Sequence, residues 1–326
     1  MFQEIIKDKR ILITGGAGFI GSHLVETLKD NNNVIIYDKF LRNSLKYMDV
    51  RDSEVEVIEG DVLDFGKLSK VIKEKEIEIL FHFAAVAGIE TITKRPLKTM
   101  EINLLGAYNA LKASSESRSL ERFVFSSTSE VYGPHCFLAR EEDKTVQGSV
   151  KELRWIYSVS KLAAENFAYA YYVEYGLPIT IVRLFNVYGP RQTGESAIHN
   201  FVVAALRNKP IMIHGDGLQI RAWCYIEDAL KAILLSAVKK ETIGEIINIG
   251  NPKAAITIYS LAKKIVELAE SNSEIIFVDR PLADVALRIP SVELARSLLG
   301  YEPKVDLEEG LSKTIEWYRA NFGDGP

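Results

Sequence analysis

Through the first 185 residues, short β-prone runs alternate with longer stretches of helical periodicity, and that rhythm constrains the fold more than any other feature. RILIT at 10–14, VIIYD at 34–38, VEVIE at 55–59, ILFHFA at 79–84, FVFS at 123–126 and ITIVRLF at 179–185 each read as a strand. Between them, 21–30, 68–75, 96–115 and 152–175 read as helices. Consecutive strands joined by helical crossovers pair in parallel, and a parallel sheet must be covered on both faces. The pattern therefore predicts an α/β fold built on a doubly wound parallel sheet.

After Tyr188-Gly189-Pro190 the rhythm changes. Helices at 199–207, 226–238, 260–269, 292–299 and 307–321 mix with short strands at 210–214, 245–249 and 274–278, which predicts a smaller α+β lobe. The division expected is a sheet domain over 1–188 and a second lobe over 189–326. Elements near 222–250 are expected to return to the first domain. No internal repeat or low-complexity tract occurs.

Between the first strand and the first helix lies Thr14-Gly15-Gly16-Ala17-Gly18-Phe19-Ile20-Gly21, a GxxGxxG run. Gly15 permits a tight turn, Gly18 lets the backbone approach a pyrophosphate at the helix N-terminus, and Gly21 allows close packing of helix on sheet. Phe19 and Ile20, which open the helix, belong to the same cofactor-binding turn. The second strand ends in Asp38, placed to accept hydrogen bonds from an adenosine ribose 2′-hydroxyl and to repel a 2′-phosphate. A Rossmann-type domain binding NAD rather than NADP is the expectation, although Lys39 and Arg42 follow closely. Asp61 and Val62 are expected at the adenine, with a helix N-cap role beside Asp64 as the alternative. Ala84 and Ala85, after the fourth strand, supply small residues where a cofactor crosses the sheet.

Tyr157-Ser158-Val159-Ser160-Lys161 sets a phenol and an ammonium four residues apart on one helix face. An adjacent ammonium and a cationic nicotinamide both favour phenolate; lowering a phenol from about 10 to about 7 takes roughly 4 kcal/mol of differential stabilisation. TGGAGFIG, Asp38, SSTSEVYG, YSVSK and RLFNVYGP, in this order, resemble the extended short-chain dehydrogenases/reductases that act on nucleotide sugars, and the resemblance runs through the closing LLGYEPKVDLEEGLSKTIEWYR. It implies that Thr128 hydrogen-bonds the sugar 4-oxygen, Tyr157 is the base and Lys161 holds the nicotinamide ribose. It further implies that Asn186 binds substrate and that Arg191 and Arg221 lie near its diphosphate. Retention of NAD through the cycle and a homodimer built on the helices at 96–115 and 152–175 are implied as well, with a UDP-sugar as the expected substrate.

Oxidation at C4 acidifies the C5 proton, and three outcomes follow: 4-epimerisation, loss of the 6-hydroxyl, or loss of CO₂ from a uronic acid. Glu130, two residues past Thr128, is expected to project toward C5 as a general base. Sugar-nucleotide 4,6-dehydratases commonly carry Thr-Asp-Glu here, whereas this chain has Thr128-Ser129-Glu130, which UDP-glucuronic acid decarboxylases and some GDP-mannose dehydratases share. Arg154-Trp155-Ile156-Tyr157 resembles the decarboxylase domain of a lipid A-modifying enzyme, in which an arginine matching Arg221 takes part in the chemistry. The Pro-rich loop of decarboxylases is missing after the fourth strand, where Ala85–Thr91 stands instead. The leading expectation is a 4,6-dehydratase acting on a UDP-hexose through Glu130, with Ser129 in place of the acid. UDP-glucuronate decarboxylation and UDP-hexose 4-epimerisation are the alternatives, and an NAD-binding sensor or scaffold is the non-enzymatic one.

Composition narrows the classes. The 40 basic and 44 acidic residues give −4, which disfavours a nucleic-acid partner, and 47% hydrophobic residues exclude disorder. Cys136 and Cys224 stand far apart and the five histidines form no ligand pair, so no metal site is expected. Trp223 and Cys224 read as packing residues. No apolar run approaches the ~18 residues of a membrane span, and the polar opening MFQEIIKDKR is unlike a signal peptide, so no membrane partner and a cytoplasmic location are expected.

Overall fold

The computed structural model describes residues 4–48, 55–279 and 284–322. Seven strands form one parallel sheet: β1 (Arg10–Thr14), β2 (Asn33–Asp38), β3 (Glu56–Glu59), β4 (Ile79–His82), β5 (Arg122–Thr128), β6 (Ile179–Leu184) and β7 (Ile246–Ile249). Their spatial order is β3-β2-β1-β4-β5-β6-β7, so the chain reverses direction between β1 and β4. This is the Rossmann-type α/β fold expected from the strand–helix rhythm. Such a reversal opens a crevice at the carboxyl ends of the strands, where ligands bind in folds of this kind.

The pleat explains why the central strands are apolar throughout. Ile11, Ile13, Ile79, Phe81 and Val124 point into a core shared with helices Phe19–Leu28 and Ile226–Val238. Leu12, Leu80, Phe123 and Phe125 point to the opposite face, against helices Phe65–Glu74, Gly106–Ser115 and Trp155–Tyr175. All seven residues of β5 are buried, as a strand covered on both sides requires.

The helix expected over 96–115 is interrupted. Pro96–Met100 and Gly106–Ser115 are α-helical, but Glu101–Leu105 widens into a π turn. The widened turn directs Asn103 inward: its Oδ1 accepts from Val86 N at 2.7 Å, and its Nδ2 donates to Val86 O at 3.0 Å and Ser160 Oγ at 3.2 Å. The amide thereby ties the loop after β4 to helix Trp155–Tyr175.

The helix Ile226–Val238 and strand β7 lie with the large sheet. Traffic also runs the other way. His135–Ala139, from within the first 188 residues, is an edge strand of a second sheet, in the order Ala255–Thr257, Ile220–Ala222, Leu287–Pro290, His135–Ala139. The two lobes are thus interleaved, and the strand Leu287–Pro290 is brought beside the turn that follows β5.

Candidate active site

A cleft of about 850 Å³ opens at the carboxyl ends of β1, β2, β4, β5 and β6. Gly15, Gly18, Phe19, Ile20, Gly21, Asp38, Asp61, Val62, Ala84, Ala85, Thr128, Tyr157, Lys161 and Asn186 all line it. Ser129, Glu130, Arg191 and Arg221 are not among its lining residues.

The glycine turn has a steric reason. Gly15 has φ +75°, and a Cβ there would meet Ala84 N at 2.5 Å, so only glycine lets the turn pass this close to the strand β4 exit. Asp38 Oδ2 accepts from Ala17 N at 2.9 Å and Oδ1 accepts from Phe40 N at 2.7 Å. Each carboxylate oxygen keeps a lone pair for a ribose hydroxyl. These features fit a dinucleotide: the turn and helix N-terminus for its pyrophosphate, Asp38 for its adenosine ribose.

Asp61 lines the cleft, but the N-cap of the helix that follows is Asp64 rather than Asp61. Asp61 Oδ1 accepts from Leu63 N at 3.0 Å, Asp64 caps helix Phe65–Glu74 through Lys67 N, and Asp61 Oδ2 pairs with Lys39 Nζ at 2.6 Å.

At the other end of the cleft, Thr128 Oγ1 accepts from Glu130 N at 3.2 Å. That bond uses an acceptor lone pair and leaves the hydroxyl proton for a partner in the cleft. Tyr157 hydrogen-bonds Thr128, yet burial and the Glu130 charge push its phenol up to about 12. Lys161 is buried, donates to Ser126 O at 2.5 Å, and lies 4.8 Å from the Phe125 ring centroid. Burial pulls its ammonium down to about 7, while Glu165, one helical turn on, opposes that. Burial thus favours the neutral phenol at Tyr157, opposed by the hydrogen bond to Thr128 and the Arg288 charge.

Beside this pair lies a charged cluster that joins the lobes. Arg154 Nη2 donates to Glu130 Oε2 at 2.9 Å, and Arg154 Nη1 to Asp284 Oδ1 at 2.8 Å. Arg288 Nη1 pairs with Glu130 Oε1, and Arg221 Nη2 reaches Asp284 Oδ1 at 3.1 Å. Burial raises the Glu130 carboxyl, but Arg288 and Arg154 outweigh it and bring the group down to about 2. The expected general base is here an ion-paired carboxylate. The arginines on it are Arg154 and Arg288, whereas Arg221 pairs with Asp284. Ser129 is buried on the turn Ser129–Tyr132.

Arg191, expected at a diphosphate, is engaged elsewhere. Its guanidinium pairs with Glu26 at 2.5 Å and donates to His23 Nδ1 at 2.5 Å, on helix Phe19–Leu28. Burial and the Arg191 charge keep His23 neutral, with its value lowered to about 3. Asn186 adopts φ +41°, a conformation asparagine tolerates, and its Nδ2 donates to Ala222 O at 3.0 Å. Arg288 and Asp284 carried no local motif; a basic residue in the apolar run LRIP was the available signal.

A family model described as the NAD dependent epimerase/dehydratase family matches residues 11–250. The chain belongs to this family. Its members are NAD-dependent enzymes acting on nucleotide sugars, and the cofactor is NAD. The UDP-N-acetyl-alpha-D-glucosaminuronate decarboxylase of Bacillus cytotoxicus is 35% identical over 95% of this chain and 98% of that protein. The human dTDP-D-glucose 4,6-dehydratase is 37% identical over 96% of this chain and 91% of its own length. Among solved structures, the UDP-glucuronic acid 4-epimerase of Bacillus cereus, in complex with UDP-glucuronic acid and NAD, superposes with a TM-score of 0.87 at 30% identity, covering 95% of this chain and 99% of the other. The family thus spans the three reactions left open by the sequence. Among the described residues, no helix is long and apolar enough to cross a membrane.

Proposed function

We propose that this family member decarboxylates a UDP-hexuronate after oxidising it at C4. The observation that carries the reading is the cluster at Glu130: among the described residues, Arg154, Arg221 and Arg288 stand against Glu130 and Asp284, three cations to two anions. One surplus positive charge, largely withdrawn from water, suits a substrate that brings a carboxylate at C6. Ser129 argues in the same direction. Expelling a 6-hydroxyl needs an acid, which a buried serine hydroxyl supplies poorly, whereas CO₂ leaves without one. The 4,6-dehydratase reading gives way on that ground. The similarity to a decarboxylase of UDP-N-acetylglucosaminuronate supports the same substrate class.

NAD, held by the Gly15–Gly21 turn and Asp38, would supply the hydride acceptor that C4 oxidation and its reversal require. Tyr157, as phenolate, removes the O4 proton and gives it back at the end; Lys161 stabilises that phenolate, and the Thr128 hydroxyl orients O4. Arg288 and Arg154, which like Glu130 are not among the cleft's lining residues, are the cations that would receive the incoming carboxylate. Glu130, like-charged with the substrate carboxylate, disfavours its anionic form, so departure as neutral CO₂ relieves the repulsion. The electrons of the C5–C6 bond pass to the C4 carbonyl, and the resulting enolate takes a proton from water at C5 in place of the departed carboxyl.

The test is mass analysis of products from UDP-glucuronate and UDP-N-acetylglucosaminuronate, with UDP-glucose and dTDP-glucose alongside. Loss of CO₂ from a uronate supports the reading. Unchanged mass with inverted C4 would replace it with epimerisation, and loss of water from dTDP-glucose or UDP-glucose with dehydration.

We also assign a homodimer interface to the helices at 96–115 and Trp155–Tyr175. Leu97, Leu105, Phe167, Tyr169, Val173 and Tyr175 are exposed on them, an apolar face that a second copy would cover.

A further inference from the structure

Two cations follow Asp38, the residue that faces the adenosine ribose, and either one would favour a 2′-phosphate if it turned inward. Neither is at liberty to do so. Lys39 Nζ is held by Asp61 Oδ2 at 2.6 Å, across the mouth between β2 and β3. Arg42 Nη2 donates to Ala87 O at 3.0 Å, and its guanidinium lies against Gly194, where a Cβ would come within 2.7 Å of Arg42 Cζ. Asp38, Lys39, Arg42 and Asp61 all line the same cleft.

We propose that Asp61 is a specificity-determining residue for the cofactor, because it sequesters Lys39 and so denies a 2′-phosphate its nearest counter-ion. Asp38 then acts against a background from which the adjacent positive charge has been removed. The anchor is well made. Asp61 is itself fixed by Leu63 N at its other carboxylate oxygen, and Tyr37 Oη donates to its backbone carbonyl at 3.1 Å. Lys39 is half exposed, so its pairing is of the modest strength typical of surface ion pairs, and losing it frees a long, mobile cation within reach of the ribose.

The test reads cofactor occupancy and needs no sugar substrate. Wild type, Asp61→Asn, Lys39→Met and the double variant are each equilibrated with excess equimolar NAD and NADP, desalted and denatured, and the released dinucleotides are separated chromatographically. Asp61→Asn should raise the NADP:NAD ratio about threefold to tenfold, the scale of one partly screened charge acting on a phosphate. Lys39→Met removes a sequestered cation and uncovers the Asp61 carboxylate, so it should not raise the ratio, and the double variant, neutral at both positions, should return to the wild-type value. Any effect of Asp61 on the adenine falls on both dinucleotides and cancels in the ratio. The proposal is overturned if Asp61→Asn leaves the ratio unmoved, or if Lys39→Met alone raises it. A gain that survives in the double variant also overturns it, since simple loss of a negative charge would then suffice.

Discussion

Arg154 donates one guanidinium nitrogen to Glu130 at 2.9 Å while its other terminal nitrogen holds Asp284, so a side chain of the dinucleotide domain clasps a carboxylate from each lobe. Arg288 reaches back from the second lobe to Glu130. With two arginines on it, Glu130 stays ionised down to about pH 2. The rate profile should accordingly show no break due to Glu130 between about pH 4 and 6, the range an unperturbed glutamate would occupy. A break in kcat within that range that disappears in Glu130→Gln would contradict the geometry.

Arg288 is nearly fully buried, and its replacement tests whether the cluster receives the substrate's carboxylate. Arg288→Met should weaken binding of a UDP-hexuronate by about 10- to 100-fold, the loss expected of a charge-assisted contact worth roughly 1.5–3 kcal/mol. Binding of UDP-glucose, which has no carboxylate, should change far less. Calorimetric titration of both ligands on both proteins reads the difference. Equal losses would place Arg288 on the nucleotide instead.

Tyr157→Phe removes the proton carrier and leaves the ring that packs in the cleft. Turnover should fall by at least about 10²–10⁴-fold, the range of general acid–base catalysis, with the amount of bound NAD unchanged. Product formation and dinucleotide content measured on the same sample separate the two effects. Loss of NAD along with activity would show Tyr157 to be a binding residue first.

These residues differ in how visible they are before the fold is known, and the difference is one of distance along the chain. Gly15, Gly18 and Asp38 are legible because a turn and the strand beside it impose fixed spacings, and Tyr157 and Lys161 because one helical turn does. Arg288 meets Glu130 from 158 positions further along, and no local period records that. Arg191 misled for the same reason, since its partner Glu26 lies 165 residues away. The strand His135–Ala139 escaped notice because it finds its partner, Leu287–Pro290, in the other lobe. The π turn at Glu101–Leu105 was hidden inside a sequence of good helical periodicity, and only the inward pull on Asn103 reveals it.

The exposed aromatic face of helix Trp155–Tyr175 gives a test of assembly. Tyr108 already packs Phe167 at a ring-centroid distance of 5.3 Å, so the two helices are locked together within one chain and present a single surface. Val173→Glu combined with Tyr169→Glu should convert a dimer to a monomer in sedimentation velocity, because two charges buried at a symmetric interface become four. Wild-type protein sedimenting as a monomer at micromolar concentration would remove the interface altogether.

Lys161 offers a stability test whose sign follows from its burial. Its ammonium falls from the ordinary 10.5 to about 7 on folding, so between those values the unfolded chain binds the extra proton and stability rises with pH. Below about pH 7 the folded protein carries a buried ammonium and bears its full desolvation cost. Lys161→Met keeps the stem and deletes the charge. It should abolish turnover yet raise the melting temperature at pH 6.5 by a few degrees, since each kcal/mol corresponds to about 2–4 °C in a chain of this size class. The gain should shrink steadily as the pH is raised from about 7 toward 10.5, where the lysine loses its proton in the unfolded chain as well as in the fold. Thermal melts of both proteins across that range measure it. A gain that stays constant with pH would mean that the introduced methionine stabilises by packing alone and that the lysine is not desolvated as its surroundings require.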